Sequence, residues 1–155
     1  MVNALKVAAA ILEALPTTEW CPESTNGKQG FVHPVHMNGI AEKASINFII
    51  RDFVTPNLAV YETKLKNIAR EVVSRFPGAA VDFKVKEQYR NMKEVLDLHP
   101  EVVANAKLAI ERAGLKVTTE SIRGGTDGSR LSFMTSARPS RFCTTGGSVM
   151  AVWTQ

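Results

Sequence analysis

Residues 43–53 read KASINFIIRDF, and their alternation decides the fold. Successive side chains on a strand point to opposite faces, so Ile46, Phe48 and Ile50 share one side. Ser45, Asn47, Ile49, Arg51 and Phe53 share the other. One side is wholly apolar and the other carries polar groups, the pattern of a strand with a single face on a core. Just upstream, GFVHPVHMNGI at 30–40 is a second strand-like run, joined to the first through Asn38-Gly39 by a hairpin or short loop. Pro34 assigns that run to a sheet edge or to a bulge, because proline cannot donate to the ladder.

Helical periodicity flanks the two strands. Over residues 2–15, Val2, Leu5, Ala8, Ile11, Leu12 and Leu15 recur at helical spacing until Pro16. This pattern begins without a capping residue, the start expected of a domain whose upstream part is missing. The polar stretch 17–30 that follows has Trp20 as its one large apolar residue. Thr55-Pro56 predicts a helix start, with threonine as cap and proline in the first turn. Leu58, Tyr61, Leu65, Ile68, Val72 and Phe76 then form its apolar stripe, closed by Phe76-Pro77-Gly78. AAVDFKVKEQY at 79–89 predicts a strand with Val81, Phe83 and Val85 inward and Asp82, Lys84 and Lys86 outward.

The order is therefore helix, strand, strand, helix, strand. One strand placed in front completes β-α-β-β-α-β, the ferredoxin-like α+β sandwich, an antiparallel sheet with two helices on one face. With its first strand missing, such a sheet is expected to expose an edge and to form dimers or exchange strands. Residues 93–113 predict one further helix containing the Pro100 start, with Gly114 as its stop, and LKVTTESI at 115–122 one more strand. Beyond Met134 the sequence has little periodicity, and no structure is assigned to it.

Composition narrows the function. At 155 residues the chain suits one domain, or one domain and part of another. Hydrophobic residues at 45% and charged residues at 22% are ordinary for a soluble globular protein. The net charge of +4 comes from scattered lysines and arginines, not from the dense basic stripe of a nucleic-acid binder. Cys21 and Cys143 form no CxxC pair, which argues against a thiolate zinc site and a disulfide framework and fits a reducing cytoplasm. The apolar run in NALKVAAAILEAL is too short and interrupted for a membrane span, and it lacks the charged flank of a signal peptide.

Few residues carry chemistry by themselves. His33 and His36, three apart on a strand, are expected on opposite faces and so cannot share a metal ion. His99 before Pro100 suits a cap or loop. Arg51 ends the apolar strand on its polar side, where a guanidinium can grip a carboxylate through two parallel hydrogen bonds. Spacing alone favours a plainer reading, a salt bridge to Asp52 or to a helix carboxylate. In IRGGTDGSRLSFM at 122–134, Gly124 and Gly125 let backbone N–H groups converge on an anion, with Arg123 as a carboxylate ligand and Asp127 orienting a neighbour. No GK[ST] follows, so this is not a nucleotide-binding P-loop. A glycine-rich turn in which Thr126 or Asp127 caps a helix fits the spacing as well.

Together, MVNAL at 1–5, INFIIRDF at 46–53, YRNM at 89–92 and the IRGGTDG block resemble the peptidase T family of dinuclear-zinc tripeptide aminopeptidases. The resemblance runs to about Met134 and implies three segments. Residues 1–91 would be most of a ferredoxin-like lid that also makes a dimer contact, 92–134 a return into the zinc-binding catalytic domain, and 135–155 a divergent tail. It further implies that Arg51 and Arg123 reach a short peptide substrate from the two sides of a cleft. Gly124, Gly125, Thr126 and Asp127 would form the loop beside it, and Asn91 would fall on a family position. The family's zinc ligands have no counterparts. Its HPG histidine has none upstream of the match, and no histidine follows Thr145-Gly146-Gly147, which faintly resembles the family's FTGG segment. Such a tail is expected from a truncation or a change of reading frame. The chain is thus expected to be a cytoplasmic homo-oligomer that binds no zinc and is inactive alone. A stand-alone ferredoxin-like interaction module is the alternative. A nucleic-acid-binding sheet is weaker still, for want of an aromatic pattern.

Overall fold

The structure, a computed structural model, describes residues 2–89, 92–119, 127, 133 and 146–154. It divides into two compact units. One comprises residues 1–88 and 147–155, the other residues 89–146.

The first unit is built on a β-hairpin. Strand β1 (Phe31–Gly39) runs antiparallel to β2 (Ala44–Arg51). Ala44, Ile46, Phe48 and Ile50 are buried and alternate strictly with half-buried Ser45, Asn47, Ile49 and Arg51, as the sequence predicts. Pro34 sits where expected on both counts. Strand β1 lies at the edge of the sheet, and the register slips between Pro34 and His36, leaving Val35 as the extra residue of a bulge.

Two helices cover the apolar face. Helix α1 (Ala4–Glu13) buries Ala4, Val7, Ala8 and Ile11, with Leu5, Leu12 and Leu15 packed around them. It does have a cap: the Asn3 side chain accepts hydrogen bonds from the N–H groups of Leu5 and Lys6 at 3.0 and 3.4 Å. Helix α2 (Thr55–Ser74) buries Leu65, Ala69, Val72 and Val73. Thr55 is its first helical residue and not its cap. Val54 holds the cap position, and no side chain caps it there. Gly78, at φ +89°, turns the chain out of this region into β3 (Ala80–Tyr89). Val81 and Phe83 of β3 pack on the core, whereas Val85 is 53% exposed and lies beyond the helices' cover.

The sheet order is β1-β2-β4-β3, and β4 (Gly146–Thr154) comes from the segment to which the sequence assigns no structure. It pairs antiparallel with β2 from Ser45↔Val152 to Ile50↔Gly147. The position next to β2 that the sequence leaves open as an edge is therefore filled.

In the second unit, α3 (Lys93–Leu96) and α4 (Pro100–Arg112) replace the single helix expected over 93–113. Proline disfavours helical geometry in the residue before it, so the chain breaks at His99, whose φ is −131°. Gly114, at φ +74°, ends α4. Residues 115–119 form no strand, and residues 120–122 of that predicted element lie outside the described residues. Among the described residues no helix is long and apolar enough to cross a membrane.

Because Phe48 is 1% exposed at the centre of the helix-covered face, Phe48→Ala is expected to cost about 3–5 kcal/mol in urea denaturation. Ile49→Ala, one residue along on the half-open face, is expected to cost less than about half as much.

Candidate functional site

The sheet face opposite the helices carries the polar side chains. Arg51 closes β2 on this face, opposite Phe31. Ile49 pairs with His33 and Asn47 with His36. Directly paired residues of an antiparallel ladder project to the same side. His33 and His36 therefore share a face, contrary to the expectation from their spacing. The extra residue of the bulge, Val35, restores the phase that three residues of regular strand would have reversed.

Arg51 is half-buried, and burial lowers its guanidinium pKa below the ordinary value. A guanidinium remains protonated even so. Partial dehydration strengthens its attraction to an incoming carboxylate, because the local dielectric is lower than in water.

Asp52 fixes the backbone beside Arg51. It continues the core-facing series of β2 and is only 4% exposed. One carboxylate oxygen accepts the Val54 N–H at 2.7 Å and the other the Asn57 side-chain amide at 3.1 Å. Asp52 thus ties the end of β2 to the start of α2 without being its side-chain cap. Gly30 lies so close that a β-carbon there would sit 2.1 Å from Asp52 Oδ2, so any side chain at position 30 would force them apart. The Tyr61 phenol, first through burial and then through the neighbouring Asp52 carboxylate and Glu19, is held above its ordinary pKa. Tyr61 stacks on Trp20 with ring centroids 5.8 Å apart. Trp20 takes a left-handed φ of 46°, and its carbonyl accepts the Val32 N–H at 2.6 Å, so the 17–30 loop is tied to β1. Asp52, Tyr61 and Trp20 were not singled out by sequence reasoning. The signal for Asp52 is its place before Thr55-Pro56-Asn57, a helix start in need of an acceptor.

Of the other predicted site residues, Asp127 is exposed, while Arg123, Gly124, Gly125, Thr126 and Asn91 lie outside the described residues. Among the described residues no three histidine, cysteine, aspartate or glutamate side chains gather as metal ligands. His99 instead faces Glu101, Nδ1 to Oε1 at 3.1 Å. The described residues do not fit a dinuclear zinc site. A cavity of about 360 Å³ lies away from Arg51, where Leu12, Trp20, Cys21, Val32 and His33 meet.

An antiparallel sheet backed by two helices, with a cationic side chain on its other face, places the first unit in the ferredoxin-like class. Residues 1–79 match the family described as the peptidase dimerisation domain, and the chain belongs to that family. It is 39% identical to peptidase T of Latilactobacillus sakei over 142 residues, which cover 92% of this chain and 34% of that protein. Peptidase T of Aeromonas hydrophila is 39% identical over 95% of this chain and 35% of its own length. That of Clostridium perfringens is 37% identical over 95% and 36%. The chain thus spans about a third of the length of these curated relatives.

Two outcomes test the Asp52 cluster. In a Tyr89→Phe background, the Tyr61 phenolate absorbance is expected to appear with a midpoint above 10.0, and Asp52→Asn to lower it. A raised folded pKa favours the protonated form, so this contribution is complete below the unfolded value of about 10 and disappears as pH rises through the folded one. Gly30→Ala is expected to cost about 1–3 kcal/mol in denaturant unfolding.

Proposed function

We propose that this chain supplies the dimerisation lid and one wall of the substrate cleft of a peptidase T-like aminopeptidase acting on short peptides such as tripeptides. The observation that carries the reading is Arg51, a half-buried guanidinium on the sheet face opposite the helices, beside the Asp52 cluster that fixes its backbone. Its role is to hold a peptide carboxylate or carbonyl oxygen, and so to orient the substrate. Arg123 with Gly124, Gly125, Thr126 and Asp127 is assigned to the facing side of the cleft. In this reading residues 1–91 are the lid, 92–134 a piece of the catalytic domain and 135–155 a divergent tail whose Gly146–Thr154 pairs with β2 of the lid.

The relatives' name supports the peptidase assignment, and the family's description supports a homodimer. Strand β1 offers an edge for it. Among the described residues β2 is the one strand neighbour of β1, which lies at the edge of the sheet. In the parent enzyme two zinc ions would activate the water. The described residues here contribute binding and orientation, and hydrolysis is assigned to the larger assembly, in a cytoplasmic setting. An interaction module without catalysis is the second reading, favoured by the lack of a metal-ligand cluster among the described residues.

Titration calorimetry with a tripeptide, with and without zinc, separates the two. The expected result is binding in the roughly millimolar range, weakened at least about tenfold by Arg51→Ala and not restored by Arg51→Lys, with no turnover. A chain that self-associates but ignores tripeptides supports the interaction module. Turnover with stoichiometric zinc overturns both.

A further inference from the structure

On a regular strand, residues three apart point to opposite faces and cannot share an ion. The bulge at Val35 removes that objection for His33 and His36. Both lie on the sheet face opposite the helices, His33 beside Ile49 and His36 beside Asn47. We propose that the two imidazoles form a chelating site on the edge strand β1 for one late first-row divalent ion, of the Ni²⁺ and Cu²⁺ kind. The site is separate from any dinuclear zinc centre, and the proposal does not depend on Arg51 binding peptide.

Three observations carry it. The first is spacing. Ile49 and Asn47 are two residues apart on β2, so their partners His33 and His36 stand roughly 7 Å apart along the sheet. Two nitrogens on one ion are roughly 3 Å apart, given metal–nitrogen bonds of about 2.0–2.1 Å. Imidazoles one pleat repeat apart close that gap by leaning together. The second is availability. His36 is exposed and His33 half-buried. Neither ring makes a hydrogen bond or an ion pair among the described residues, unlike His99, which faces Glu101. The third is an acceptor beside the site. A metal-bound histidine ordinarily donates its second ring N–H to an oxygen, which fixes its tautomer and orientation. Asn47, the direct partner of His36, has a buried Oδ1 with no hydrogen-bond partner among the described residues. That oxygen is placed to accept the N–H of His36.

The ligands decide the class of ion. Neutral nitrogen donors suit nickel, copper and zinc, whereas magnesium and calcium take oxygen. With two protein ligands, water fills the remaining positions, and affinity follows the ordinary order in which Cu²⁺ exceeds both Ni²⁺ and Zn²⁺.

The test is calorimetric titration of Ni²⁺ into the full chain carrying Cys21→Ser and Cys143→Ser, which removes competing thiolates. One ion is expected to bind per chain. His33→Ala and His36→Ala are each expected to weaken binding at least about tenfold, and His99→Ala to leave it unchanged. His36→Gln, which keeps a polar side chain at this exposed position, is expected to behave as His36→Ala does. A His36→Ala, Met37→His variant keeps the number of histidines but moves one to the helix-covered side, where Met37 pairs with Ile46. It is expected to bind no better than His36→Ala alone. Asn47→Leu is expected to weaken binding about tenfold at unchanged stoichiometry. Absence of binding, or binding that survives the loss of either histidine, overturns the site. Full binding by the His36→Ala, Met37→His chain overturns the role given to the bulge. An Asn47→Leu chain that binds as tightly as its parent overturns the role given to Asn47.

Discussion

The two-sided pairing of β2 is the constraint on which the first unit rests. Strand β2 bonds β1 on one flank and β4 on the other, and its helix-facing residues form most of the sheet's side of the core, with Val32 of β1 and Val81 and Phe83 of β3 beside them. Slipping the strand by one residue would send Ile46, Phe48 and Ile50 to the opposite face and draw Asn47 and Arg51 against the helices. The same register puts Asp52 under the first turn of α2, where its carboxylate joins sheet to helix. Core, helix start and the placing of Arg51 thus follow from one alignment of eight residues.

The candidate site divides labour between adjacent residues of opposite charge. Asp52 is buried and spends its oxygens on an N–H and an amide, which is structural work. Arg51 stays at the rim, where water can leave when a ligand arrives.

What was legible in the sequence was local. The alternation of KASINFIIRDF, the helical stripes and Pro34 each follow from periodicity or from a missing donor, and each appears in the structure. Three things were illegible for a common reason, that each depends on a residue's partner. The bulge that brings His33 and His36 onto one face is a property of the pairing with β2. The tie at the start of α2 comes from Asp52, a residue outside the helix pattern. Strand β4 has glycines at its start and no clear alternation, and it acquires its conformation from the neighbours between which it lies. Of the candidate site, the place of Arg51 on the polar side of β2 was readable, because a charge at the end of an apolar strand stands out. The Asp52, Tyr61 and Trp20 cluster was not, because its members meet only once α2 has packed on the sheet.

The origin of the inner strand also sets the timing of folding. Ser45 and its partner Val152 lie 107 residues apart. At a ribosomal rate of about 5–20 residues per second, roughly 5–20 s pass between their synthesis. During that interval the hairpin and both helices can form from local contacts, before β4 is made. The slowest, least local contact of the unit is also its last to become available, which is the circumstance in which nascent chains most need protection from one another.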